Sequence, residues 1–129
     1  MARTALAVHR LGQLLQRELG RIDDLDVTPA EALVLAILRD RGPTSVGELV
    51  QLLGHRPSTL TTILDRLSDR RLIVRQVRPD DRRSFLVLLT ERGQEEALRS
   101  ERAVARAEQA VLDSLDADTA AAVRSALGG

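Results

Sequence analysis

A mainly α-helical fold with a small β-hairpin wing is predicted by three features of the 129-residue sequence. Apolar residues recur at three- and four-residue steps, helix-capping residues open successive segments, and two short runs rich in Val, Ile, Leu and Phe flank a polar hexapeptide. A chain of this length fits one domain, 1–129, able to bury roughly two-thirds of the surface its unfolded form exposes.

The first helix, α1, is expected over 5–22, where Val8, Leu11, Leu15, Leu19 and Ile22 fall on one face; Asp23, Asp24 and Asp26 interrupt it. Thr28-Pro29-Ala30-Glu31 joins a capping box to a proline at the first helical position. It opens α2 at Pro29, with Leu33, Ile37 and Leu38 as the expected buried stripe, stopped by Arg41-Gly42-Pro43. A short strand β1 is expected around 44–46. Ser45-Val46-Gly47-Glu48 is a second capping box, opening α3 (46–53) through Leu49, Val50, Leu52 and Leu53 to Gly54.

The fourth helix, α4, begins near Pro57 and runs to about Arg70, with Leu60, Ile63, Leu64 and Leu67 at i, i+3, i+4 and i+7. At 100° per residue, Ser58, Thr62, Asp65 and Asp69 lie farthest from that stripe, flanked by Thr61 and Arg66. Strands β2 (72–77) and β3 (84–89) read as a hairpin around Arg78-Pro79-Asp80-Asp81-Arg82-Arg83, and two strands alone would be marginal, so they must pack on helices. Thr90 caps a long α5 (91–113), and Asp116 caps α6 through Val123 and Leu127. The predicted order is therefore α1-α2-β1-α3-α4-β2-wing-β3-α5-α6.

Composition narrows the function classes. Without cysteine there is no disulfide, thiolate metal site or thiol nucleophile, and His9 and His55 are too far apart in sequence to suggest a histidine metal site. No cofactor is expected. No Ser/His/Asp grouping or phosphate-binding glycine loop appears, so no catalytic residue is assigned and an enzyme is the weakest reading. No apolar run approaches the roughly 18 residues of a bilayer span. The N-terminus carries charges at helical spacing instead of a signal peptide's apolar core, so no membrane association and a cytoplasmic location are expected. All nineteen basic residues are arginine, which fits a GC-rich coding sequence and also suits bidentate phosphate and guanine contacts.

The formal net charge is zero, yet residues 55–83 hold eight arginines against four aspartates, a local charge of +4. In that stretch, a helix, a three-residue turn, a second helix and a basic-tipped hairpin follow the order of a winged helix-turn-helix, whose second helix enters the major groove of double-stranded DNA. Ser58, Thr59, Thr61 and Thr62 carry small hydroxyls suited to donating to phosphates at close approach, and Arg66 is long enough to reach phosphate or guanine. Arg78, Arg82 and Arg83 place three positive charges on the hairpin tip, where a narrow minor groove attracts them. Taken singly, each segment is better explained as a solvated helix face or a polar turn; their ordered conjunction favours DNA. A winged-helix module that binds protein, without specific DNA binding, is the rival reading.

The stretch Glu48-Leu49, Leu53-Gly54, Pro57-Ser58-Thr59-Leu60-Thr61, Leu64-Asp65-Arg66-Leu67, Leu72-Ile73-Val74-Arg75, Asp80-Asp81-Arg82-Arg83 and Leu89-Thr90-Glu91-Arg92-Gly93 resembles the multiple-antibiotic-resistance regulator (MarR) family. Its most specific piece is the DDRR wing followed by LTxxG, and the likeness covers about 28–95 strongly, the flanking helices by pattern. The resemblance implies a DNA-binding lobe over 28–90 and dimerisation helices over 1–25 and 91–129. It implies a homodimeric transcriptional repressor on a pseudo-palindromic operator, with α4 in the major groove and the wing in the minor groove of each half-site. Arg82 would enter the minor groove while Asp80 or Asp81 braces the arginines; a salt bridge of Asp81 with Arg83 that only shapes the hairpin is an equal alternative.

Members of the family often bind small anionic or aromatic effectors between the dimer helices and the DNA-binding lobe. With one phenylalanine and no tryptophan or tyrosine, a pocket here would be aliphatic with arginine or hydroxyl groups. Two positions depart from the family pattern. Arg71 stands where glycine is usual, so a left-handed residue there would cost about 1 to 2 kcal/mol. Arg56 stands where a serine often caps α4, weakening the cap but adding charge beside the groove. Apart from any family, the leucine, valine and alanine content of α1, α5 and α6 argues for dimerisation. Ala97, Val104, Ala107 and Val111 recur at spacing suited either to close helix packing between chains or to packing within one.

Overall fold

Caps and glycines punctuate the helices in the computed structural model, which describes residues 2–21, 26–78, 80, 85–115, 121, 124 and 125. In chain order the elements are α1 (Ala2–Gly20), α2 (Pro29–Arg41), β1 (Thr44–Ser45), α3 (Val46–Leu53), α4 (Pro57–Asp69), β2 (Ile73–Val77), β3 (Phe85–Leu89) and α5 (Glu91–Ser114). Five helices are described where six were expected: the segment from Asp116 through Val123 to Leu127 lies almost wholly outside the described residues, of which Ala121, Arg124 and Ser125 are helical.

The capping signals act as the sequence suggests. Thr28 Oγ1 accepts from the Glu31 N–H at 3.2 Å, and Glu31 Oε1 accepts from the Thr28 N–H at 2.9 Å, a complete capping box that gives the buried Glu31 carboxylate a partner. At α3 the box is half formed: Ser45 Oγ accepts from the Glu48 N–H at 3.1 Å, while the Glu48 carboxylate takes the Ser45 hydroxyl instead of its N–H. Gly42 and Gly54, at φ of 79° and 69°, end α2 and α3 in backbone regions that favour glycine.

The chain divides into two compact units, one comprising 27–102 and the other 1–26 with 103–129. In the 27–102 unit the antiparallel sheet has the order β1-β3-β2, with Thr44 opposite Val87 and a β2–β3 ladder from Ile73–Leu89 to Val77–Phe85. Its core joins Val34, Leu35 and Leu38 of α2, Leu49 of α3, the four apolar residues of α4, Leu72, Ile73, Val87 and Ala97. The buried stripe of α2 differs from expectation. Glu31, Val34, Leu35 and Leu38 face inward, while Leu33 and Ile37 are half-buried. Residues 32–38 are all apolar, so their pattern carries no phase, and the register follows from packing. In α3, Leu49 is buried, Val50 and Leu53 pack at the margin, and Leu52 is exposed.

In the other unit, Leu19, Ala103, Ala107 and Val111 are buried. Of the small-residue series on α5, Ala97, Ala107 and Val111 are thus covered within one chain, and only Val104 stays half-buried. No described helix is long and apolar enough to cross a membrane.

Candidate nucleic-acid interface

The apolar stripe of α4 is anchored by Leu60, Ile63, Leu64 and Leu67, none more than 7% exposed. Burial of four such side chains at roughly 1.5 to 3 kcal/mol each fixes the helix in rotation, so its opposite face is equally fixed. Ser58, Thr59, Thr61, Thr62, Asp65, Arg66 and Asp69 are all exposed on α4. Arg66 forms no ion pair among the described residues, which leaves its guanidinium available.

The two ends of α4 are finished differently. At the N-terminus Arg56 occupies the cap in extended conformation and makes no side-chain capping bond, while Pro57 takes the first helical position. The charged side chain of Arg56 is exposed beside the first turn. At the C-terminus, the Leu72 N–H reaches the Leu67 carbonyl at 3.0 Å and the Arg71 N–H reaches the Ser68 carbonyl at 2.9 Å, the two bonds of a Schellman motif. Arg71 supplies the left-handed residue at φ 61°, so the helix keeps the glycine-type ending even though a side chain is present. Leu67 and Leu72 lie in the same core cluster, the apolar contact that accompanies this motif.

One threonine ties this ending to α5. Thr90 donates its hydroxyl to the Arg71 carbonyl at 2.6 Å and its N–H to the Leu72 carbonyl at 3.0 Å, while its Oγ1 accepts from the Gly93 N–H at 2.9 Å. Gly93 presses against Leu72 so closely that a Cβ there would lie 1.8 Å from the carbonyl oxygen. The LTxxG segment is therefore a junction as well as a helix cap.

Hydroxyl chemistry on the exposed face differs from expectation at two positions. Thr61 donates its hydroxyl to the Pro57 carbonyl at 2.9 Å and Thr62 to the Ser58 carbonyl at 3.1 Å, so both protons that could reach phosphate are engaged within the helix. Among the described residues the hydroxyls of Ser58 and Thr59 form no hydrogen bond. Asp65, whose charge on this face would repel phosphate, is paired with Arg75 of β2. That arginine counted toward the local charge, but a contact ten residues away on another element leaves no spacing signal in sequence. An open hollow beside the pair is lined by Asp65, Ser68, Asp69, Val74 and Arg75.

At the base of the wing, Val77 and Phe85 sit opposite each other and are exposed. Arg78 Nε lies 3.4 Å from Asp80 Oδ1, an exposed pair whose net effect on stability is small. Asp81, Arg82 and Arg83 lie outside the described residues. Six of the nine residues expected to touch DNA, Arg56, Ser58, Thr59, Thr61, Thr62 and Arg66, are thus gathered on or beside α4, and Arg78 lies at the start of the wing.

A model of the MarR family matches residues 25–84. The HTH-type transcriptional repressor MdtR of Bacillus subtilis is 34% identical over 108 residues, covering 81% of this chain and 70% of MdtR. The apo form of E. coli MarR has a TM-score of 0.76 at 29% identity, covering 94% of this chain and 91% of MarR. A point mutant of that protein complexed with operator DNA gives 0.70 at 27% identity, covering 96% and 87%. BpsR of Bordetella bronchiseptica, whose DNA binding is regulated by 6-hydroxynicotinic acid, gives 0.74 at 27% identity, covering 93% and 94%.

Proposed function

The chain belongs to the MarR family, and from that premise we propose that it binds double-stranded operator DNA as a homodimer and represses transcription. The observation that carries this reading is the outward face of α4, polar along its length and held in place by a fully buried opposite face. A helix so presented fits the major groove, whose width of about 12 Å admits one helix. Arg56, Ser58 and Thr59 sit at the helix N-terminus, where free hydroxyls, unpaired N–H groups and the helix dipole all favour a phosphate. Arg66, two turns further into the face, reaches a base edge or the backbone, and Arg78, Arg82 and Arg83 carry the wing to the adjacent minor groove, braced by Asp80 or Asp81.

Repression is supported by the likeness to MdtR, and response to a small molecule by the likeness to BpsR. The terminal helices, 1–25 and 91–129, are assigned to the dimer interface, with Val104 and exposed Leu6 as contact candidates. The protein is read as a non-catalytic regulator acting in the cytoplasm, where its operator resides.

Fluorescence anisotropy of the purified protein against DNA from upstream of its own gene and against a scrambled duplex tests the reading. The expected result is a preference for the upstream duplex of at least tenfold, a stoichiometry of two chains per site, and loss of that preference in Arg82→Ala. Equal, weak binding to every duplex, from the upstream region and from a random pool alike, would instead favour the protein-binding module.

A further inference from the structure

The exposed hydroxyls of α4 fall into two chemically distinct pairs. In the first turn, Ser58 and Thr59 keep their protons free among the described residues. In the second, Thr61 and Thr62 have given theirs to the carbonyls of Pro57 and Ser58, at 2.9 and 3.1 Å. An engaged threonine still offers two things to a partner: the γ-methyl group and a lone pair on Oγ1. It has no donor left.

Those groups match one kind of base pair. In the major groove an A·T pair presents the thymine 5-methyl beside the adenine N6 amino donor, so it meets a methyl with a methyl and a lone pair with a donor. A G·C pair offers the lone pair a donor as well, the cytosine N4 amino group, but it has no methyl, so the methyl contact is what separates the two. Phosphate oxygens are acceptors only, which an engaged hydroxyl cannot serve. The neighbouring charges do not compete, because Asp65, one turn on from Thr61, is held by Arg75.

We propose that Thr61 and Thr62 read A·T base pairs in the operator by packing their γ-methyl groups on thymine methyls, and that phosphate contacts fall to Ser58 and Thr59. This rests on operator binding by α4 and names which bases that helix selects. Threonine here acts as a small valine with a lone pair. Removing one methyl from such a contact costs affinity by about fourfold, the transfer free energy of one buried carbon group.

The test uses the full-length protein and a duplex recovered by selection from a random-sequence pool, in which each thymine is replaced in turn by deoxyuridine. Wild type is expected to lose about fourfold at the thymines beneath α4. Thr61→Val and Thr62→Val keep the methyl and are expected to retain the wild-type sensitivity to deoxyuridine at those thymines. Thr61→Ser and Thr62→Ser keep only the hydroxyl and are expected to lose about fourfold and become indifferent to deoxyuridine at one position each. If the valine variants lose that sensitivity while the serine variants keep it, the hydroxyls and not the methyls make the contact and the inference is wrong. Selective binding that ignores every deoxyuridine, or a selected site without A·T pairs beneath α4, overturns the inference alone. Failure to enrich any duplex overturns operator binding and the inference together.

Discussion

The two ends of α4 are built to opposite specifications. Around its C-terminus, three backbone carbonyls, those of Leu67, Ser68 and Arg71, and the carbonyl of Leu72 all receive bonds from Arg71, Leu72 or Thr90, and Gly93 closes the remaining space. At its N-terminus no side chain caps the first turn, and Arg56 occupies the position where a serine would supply one. The difference separates support from recognition. The C-terminal end is satisfied from within the chain and sets the helix direction, while the N-terminal end leaves donors and a positive charge exposed, as the proposed phosphate contact requires.

Breaking the supported end is expected to have the largest effect. Gly93→Ala drives a Cβ into the Leu72 carbonyl and should destabilise the fold by about 3 kcal/mol or more, measured by urea denaturation. A loss under 1 kcal/mol would mean that the approach of α5 to Leu72 is soft. Thr90→Val removes the cap of α5 and the bond to Arg71 together, for an expected loss of about 1 to 2 kcal/mol in the same measurement. Arg71→Gly relieves the left-handed side chain and should stabilise by about 1 kcal/mol without altering DNA affinity. If affinity falls as well, Arg71 has a role at the interface beyond its conformation.

The open end should respond in the other sense. Arg56→Ser supplies the missing cap and is expected to raise stability by about 0.5 to 1 kcal/mol while weakening DNA binding several-fold, because a charge beside the first turn is lost. Unchanged affinity would remove Arg56 from the interface. A parallel gain in both properties would contradict the division between the two ends.

Much of this arrangement is legible in the sequence because it is local. The box at Thr28 and Glu31, the stop at Gly54 and the stripe of α4 each depend on residues within a turn or two, and the observed elements begin and end within a few residues of expectation. What escapes the sequence is tertiary. The bond from Thr90 to Arg71 spans nineteen residues, and the pair of Asp65 with Arg75 joins a helix to a strand. The inward face of α2 is set by its neighbours, since an unbroken apolar run has no phase of its own. The two engaged threonines belong to a third kind: their spacing permits a bond back to the helix, but the sequence alone does not choose between that bond and a phosphate.

The most direct test of α4 as a DNA-reading helix is the salt dependence of binding to the upstream duplex, for wild type and for Arg66→Ala. The expected plot of log affinity against log salt falls linearly, with a slope of about −0.9 per phosphate neutralised. Arg66→Ala should weaken binding by roughly tenfold or more while leaving the unfolding midpoint unchanged, and its slope should shrink by about one per half-site if the contact is to phosphate. A flat salt response with Arg66→Ala equal to wild type would contradict DNA recognition by this face.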